Sequence, residues 1–161
     1  MGANRLIPHV AFLYEDGANR SILNGFLKSF HVNDRQVSEF KDGEGWSGTL
    51  DLFAREYSPL LKRNQFTQLV ILLDFDKKHL WGPRLEDLVA EHKDRVFVLG
   101  TNPKPEVTQK LLKKNLEAIG LELADDCFEG KTTTWSHESL AHNQAELIRM
   151  SETIQPILRR V

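Results

Sequence analysis

Glu15 and Asp16 follow directly on the apolar run Val10-Ala11-Phe12-Leu13-Tyr14, and Asp74 and Asp76 follow on Leu69-Val70-Ile71-Leu72-Leu73. Short, continuous apolar runs of this kind read as strands covered on both faces. Groups just beyond the carboxyl ends of such strands collect in the crevice where α/β proteins do their chemistry. Carboxylates brought within a few ångströms raise one another's pKa unless a cation offsets them. Hard oxygen donors in that arrangement favour Mg²⁺ or Mn²⁺ over zinc. Glu15, Asp74 and Asp76 are therefore the candidate metal ligands, with Glu15 as ligand or general base for a metal-oriented water or hydroxyl.

Other residues suit the same chemistry. Lys77 and Lys78 follow Asp76 directly and could draw a phosphate backbone toward a metal, and Trp46 and Trp81 could stack on unpaired bases. Both tryptophans could equally pack over the edge of the core. Lys131, in Glu129-Gly130-Lys131-Thr132-Thr133-Thr134, could stabilise charge building on a phosphate, although an exposed loop lysine is the more ordinary reading. His142 and Glu146 stand four apart on one expected helical face, a spacing more common for a surface pair than for a metal site. The loop Gly43-Glu44-Gly45-Trp46-Ser47-Gly48 lacks the lysine and spacing of a nucleotide-binding P-loop.

With 161 residues, 40% of them hydrophobic, the chain is sized for a single domain with one sizeable core. No apolar run approaches the roughly 18 residues needed to span a bilayer, and no basic segment leads into a long apolar one at the N-terminus, so a cytoplasmic protein is expected. The lone Cys127 rules out an intrachain disulfide and a cysteine-based zinc site. Net charge is −2, unevenly spread: residues 77–114 carry nine Lys/Arg against five Asp/Glu, and residues 115–161 carry four against eight. The basic segment could face a phosphate backbone or form ordinary solvated helix faces.

The elements that must position these groups follow from periodicity. Ile22, Leu23, Phe26, Leu27 and Phe30 predict a helix after the first strand. Gln36 to Phe40 reads as a second strand, and Thr49 to Leu61 as a helix carrying Pro59 near its end. The third strand, residues 68–73, leads into a polar corner at Trp81-Gly82-Pro83 and a helix through Leu85, Leu88 and Val89. Arg95 to Leu99 is the fourth strand. Pro105 suits the first turn of a helix through Ile119, with Gly120 ending it. Residues 121–135 read as irregular, and Glu138 to Leu158 as a last amphipathic helix. This alternation implies an α/β sandwich of about four mainly parallel strands flanked by helices.

The order strand-Glu, helix, strand, Gly-rich loop, helix, strand-Asp-x-Asp resembles the Toprim domain. It is closest to small stand-alone Toprim-like proteins and to the nuclease half of the OLD (overcoming lysogenization defect) family. Phe12-Leu13-Tyr14-Glu15-Asp16-Gly17 and Leu72-Leu73-Asp74-Phe75-Asp76 carry the resemblance, which covers residues 8–100 and leaves 101–161 as a C-terminal extension. The resemblance implies a Rossmannoid three-layer sandwich, Glu15 as the strand-end ligand or acid/base, Asp74 and Asp76 as the metal-binding pair, and cutting, joining or copying of nucleic acid. Many Toprim proteins have Gly directly after the glutamate, where Asp16 stands here. Asn19 occupies a place where OLD-like members often carry a second acid. A phosphoacceptor receiver domain fits less well, because too few strands are present and no lysine follows a fifth strand.

Two functions remain open at this point. One is Mg²⁺-dependent nuclease-like phosphoryl transfer on nucleic acid, in a defence or repair system with a separately encoded ATPase. The other is a non-catalytic interaction protein that keeps the fold to bind a partner. With only Tyr14 and Tyr57 available and no separate tyrosine-bearing domain, strand passage is disfavoured.

Overall fold

The structure, a computed structural model, describes residues 4–161. Four strands, β1 (His9–Tyr14), β2 (Val37–Asp42), β3 (Thr67–Leu72) and β4 (Val96–Leu99), form one sheet in the order β2-β1-β3-β4. Every pairing is parallel. The chain leaves β1 toward β2 on one side and then crosses to β3 on the other, so the strand order reverses between β1 and β3. In open parallel sheets that reversal opens a crevice at the carboxyl ends of the two strands. Tyr14 lies opposite Leu72, and Leu72 opposite Leu99, which brings the carboxyl ends of β1, β3 and β4 level.

Helices cover both faces, as a wholly parallel sheet requires. Period-two alternation sends Val10, Phe12, Tyr14 and Val70 to one face and Ala11, Leu13, Leu69 and Ile71 to the other. The first face packs against α1 (Gly17–Leu27), α6 (Leu116–Glu129) and α7 (Gln144–Leu158) through Leu23, Ile119, Leu123 and Ile154. The second packs against α2 (Trp46–Leu52), α3 (Ser58–Arg63) and α4 (Lys78–Val89) through Leu50, Leu61, Trp81 and Leu85. A π-helical turn, Phe53–Tyr57, joins α2 to α3 in one unbroken helical run, and Pro59, which has no N–H to give to the preceding turn, follows directly after that wider turn. The result is the expected α/β three-layer sandwich.

Several local expectations differ from the structure. Trp81-Gly82-Pro83 lies inside α4 and forms no loop corner. The helix beginning at Pro105 is two: α5 (Pro105–Leu112) stops at Lys113, whose backbone is left-handed, and α6 restarts after Asn115, whose side chain caps it. Gly120 therefore sits within a helix. A Cβ there would lie 1.9 Å from the Ile22 carbonyl oxygen, and one at Gly25 would lie 1.9 Å from that of Glu117, so each of α1 and α6 presents a glycine to the other's backbone. This close crossing explains why residues 121–129 are helical: they continue the element that covers α1. The last helix starts six residues later than the sequence suggests, after a 3-10 turn at Ala141–Asn143. Phe30, expected on the apolar face of α1, is 75% exposed beyond its end.

The outer edge of β4 is closed by α7 and the turn before it. Glu146 accepts a hydrogen bond from the Val98 N–H at 2.8 Å. The Asn143 amide receives the Gly100 N–H at 3.1 Å and donates to the Gly100 carbonyl at 2.9 Å. These side chains stand where a fifth strand would pair, which satisfies an edge that would otherwise invite another chain.

Candidate metal centre

β1 ends at Tyr14, so Glu15 emerges where the sheet stops, and its N–H still pairs with the Leu72 carbonyl at 3.1 Å. Asp16 begins α1. Its Oδ1 accepts the N–H groups of Ala18 (3.1 Å) and Asn19 (3.2 Å), the ordinary work of an N-cap aspartate. Asp74 follows β3 by two residues, and its N–H donates to Glu15 Oε2 at 2.8 Å. Asn19, in the first turn of α1, reaches back with its amide to Asp16 Oδ1 at 3.1 Å and Asp74 Oδ1 at 2.9 Å. The Asp74 carbonyl accepts the Trp81 indole N–H at 3.0 Å, and the Phe75 N–H donates to the Thr101 carbonyl at 2.8 Å. Asp74 is thus held from β1, α1 and α4, with the next residue tied to the segment after β4.

Carboxylate oxygens of Glu15, Asp16 and Asp74 all lie within 4.8 Å of one another. Glu15 and Asp74 are buried, at 6% and 8% exposure. Burial is the main reason that Asp74 is pushed up to about 7, and the charges of Glu15, Asp16 and Asp76 add to it against the opposing Asn19 hydrogen bond. Glu15 is also raised, first by burial, then by Asp16 and Asp76, while the Asp74 N–H and the nearby Lys77 oppose the shift. Close, buried carboxylates of this kind need a proton or a cation to offset their charge. An all-oxygen set of a glutamate and two aspartates, open on the side of the exposed Asp76, has the donor chemistry of a Mg²⁺ or Mn²⁺ site completed by water.

The structure brings Glu15 and Asp74 together and recruits Asp16, which sequence reasoning treated as an interruption of the motif. Asp76 is exposed beside the cluster; its charge acts on both buried acids, but its side chain is outside the close trio. Asn19 is the other residue whose role the spacing alone did not reveal. The signal was available: in Asp16-Gly17-Ala18-Asn19 the asparagine falls at the third helical position, where side chains fold back toward the cap.

The remaining candidates separate. Lys77 and Lys78 are exposed at the start of α4; Lys77 faces Glu15 electrostatically, and Lys78 lies with Nζ 5.5 Å from the centre of the Phe75 ring. Trp81 is 3% exposed, with its indole edge-on to Phe75 and its N–H committed to Asp74, so its work is to anchor the strand end rather than to stack on a base. Trp46 is half-buried at the start of α2. Lys131 pairs with Glu129 at 3.0 Å after the end of α6, with Asp126 and Asp125 as its further charged neighbours. No hydrogen bond or ion pair joins it to the strand-end carboxylates among the described residues. His142 packs on Phe75 (ring centres 4.3 Å apart), whereas Glu146 is turned to β4, so these two form no ligand pair.

No family model matches this sequence, and no curated protein or solved structure matches it either. Among the described residues, no helix is long and apolar enough to cross a membrane.

Proposed function

We propose that this chain is a divalent-metal-dependent phosphoryl-transfer protein of nuclease type, acting on nucleic acid from the carboxyl ends of β1 and β3. The observation that supports it is the convergence of Glu15, Asp16 and Asp74 at the sheet's reversal point, two of them buried and raised in pKa. Glu15 and Asp74 would hold Mg²⁺ or Mn²⁺, with Asp16 and Asp76 at the rim. The bound ion would supply charge neutralisation at a phosphate and an acidified water. Lys77 and Lys78 stand on the solvent side, where a phosphate backbone would approach. Toprim membership rests on the motif residues alone and is part of this proposal, as is a separate ATPase partner.

A second reading has its own support. Asp16 already caps α1 and Asn19 already bridges Asp16 and Asp74, so the cluster is internally hydrogen-bonded. That favours a non-catalytic interaction protein in which the acids are structural. Melting of wild type and of Asp74→Asn in EDTA, Mg²⁺ and Mn²⁺ separates the two, followed by cleavage assays on single- and double-stranded DNA and RNA. A metal-dependent rise in Tm and metal-dependent cleavage, both lost in Asp74→Asn, are expected. No rise in wild type sinks the metal reading.

A further inference from the structure

His31, Asp125 and Glu129 bring an imidazole and two carboxylates together away from the strand-end acids. The helix α1 begins at the carboxylate cluster and His31 follows its other end, roughly 16 Å away along the helix. Asp125 and Glu129 stand four apart on α6 and share the face that meets the segment after α1. His31 Nε2 lies 3.2 Å from Glu129 Oε2, and ligand atoms of all three side chains lie within 4.8 Å of one another. Two donors bound to one zinc ion at about 2.0–2.2 Å stand about 2.9–3.4 Å apart, so His31 and Glu129 already have the spacing of one coordination edge.

The three side chains are held from outside the set. Ser29, 2% exposed, donates its hydroxyl to Asp125 Oδ1 at 2.7 Å and accepts the His31 N–H at 3.3 Å, which fixes the backbone of the histidine against Asp125. The His31 carbonyl accepts the Arg160 N–H at 2.7 Å, and the imidazole packs on Phe30 and Phe128 with ring centres 4.1 and 6.2 Å away. Lys131 donates to Glu129 Oε1 at 3.0 Å, leaving Oε2 for His31. Lys131 first and His31 second hold the Glu129 carboxyl below its usual range. Each carboxylate is thus oriented through one oxygen by an outer donor, as the partners behind metal ligands do. A histidine paired with a glutamate needs no third side chain; the buried Ser29, which aims Asp125 at the same place, is what a simple pair leaves unexplained.

We propose that His31 Nε2, Asp125 and Glu129 bind one zinc ion, with water in the fourth position. An imidazole with two carboxylates suits zinc, whereas Mg²⁺ takes oxygen donors and keeps its waters, so this set and the strand-end carboxylates select different ions. The ion ties the segment between α1 and β2 to the end of α6. The inference does not rest on metal at the strand ends or on any reaction there.

Zinc binding is read on the full chain, after EDTA treatment and dialysis, by NMR of isotope-labelled histidine and by melting. One equivalent of Zn²⁺ should move the His31 Nε2 resonance, leave the other imidazoles in place and raise Tm by mass action. A hundredfold excess of Mg²⁺ should not reverse the shift. Asp125→Asn keeps an oxygen for Ser29, which guards against a folding defect, and both it and His31→Ala should weaken zinc binding at least tenfold. Asp74→Asn, at the other end of α1, should bind zinc within twofold of wild type. The proposal is overturned if the other histidines shift at the same zinc concentration as His31, if Asp125→Asn or His31→Ala binds as wild type does, or if Asp74→Asn loses the site. A His31 Nε2 resonance unmoved by zinc also overturns it and leaves the contact with Glu129 an ordinary hydrogen bond.

Discussion

The backbone N–H of Asp74 donates to the Glu15 carboxylate at 2.8 Å, so the acid that ends β1 is held by the residue that supplies the acid after β3. Neither carboxylate can move without disturbing the other's strand. This bond favours the ionised form of Glu15, while Asp74 gains only the Asn19 amide against burial and three neighbouring negative charges. The asymmetry decides which of the two keeps a proton.

Asp74 makes stability fall with pH in the absence of metal. Its pKa is raised from the ordinary 3.8 to about 7 in the folded protein, so between those values the native state holds a proton that the unfolded chain has lost. Stability is then full below about pH 4, declines through pH 7, and is flat above. Asp74→Asn should flatten most of that slope, leaving the part that Glu15 contributes, and at pH 8 in EDTA should stabilise by about 1–3 kcal/mol, since it removes a buried charge and keeps the shape. Urea unfolding of both proteins between pH 4 and pH 8 checks this; parallel curves would contradict it. Mg²⁺ binding to wild type, which needs the ionised form, should strengthen across the same interval.

Asn19 bridges two acids. Asn19→Ala removes its bonds to Asp16 and Asp74 and should cost about 1–2 kcal/mol. Asn19→Asp replaces a donor with a further charge, so in EDTA it should be less stable than Asn19→Ala. Added Mn²⁺ should raise its Tm more than it raises that of wild type, because ligand charge strengthens a hard-cation site. Differential scanning calorimetry with and without Mn²⁺ reads both effects; an equal metal response in wild type and Asn19→Asp would count against a cation at this place.

The central strands and their acids were legible because continuous apolar runs and the residues that end them are local signals. Val10 to Tyr14 and Leu69 to Leu73 became β1 and most of β3, with Glu15 and Asp74 brought together. What the sequence hid depends on tertiary contact. Gly120 looked like a helix end because glycine often is one, yet here it exists for the approach of the Ile22 carbonyl. Trp81-Gly82-Pro83 looked like a corner, yet the Trp81 indole reaching Asp74 holds this segment in α4. Lys131 is the contrary case: it is exposed and pairs with Glu129, only two residues before it, a contact that needs no tertiary structure.

Gly120→Ala tests the crossing of α1 and α6. The added Cβ would meet a backbone oxygen, which cannot rotate away as a side chain can, so the helices must part. The usual gain from replacing a helical glycine with alanine, about 1 kcal/mol, should be reversed to a loss of about 2–4 kcal/mol. Chemical denaturation measures it, and a stabilised variant would show that the helices do not meet so closely.

Lys131→Ala should leave stability nearly unchanged, because an exposed ion pair with Glu129 contributes little. It should also leave the metal response of the melting temperature intact. A metal response lost in this variant would place Lys131 at the centre after all.

Glu146→Ala tests how the β4 edge is closed. The Glu146 carboxylate accepts the Val98 N–H through Oε2 and pairs with Arg149 through Oε1, and Arg149 in turn bonds the Lys93 carbonyl, so one side chain ties α7 to the strand. Removing it leaves the Val98 N–H without its acceptor and should cost about 1–3 kcal/mol. Asn143→Ala, which strips both bonds from Gly100, should cost a similar amount. Hydrogen exchange gives the sharper readout, since the loss is local: the Val98 amide should exchange faster in Glu146→Ala and the Gly100 amide in Asn143→Ala, while Val70 in the central strand keeps its protection. If the variants also expose the strand edge, self-association should rise with concentration, visible by sedimentation velocity. Unchanged exchange at Val98 would mean that water serves the edge as well as Glu146 does.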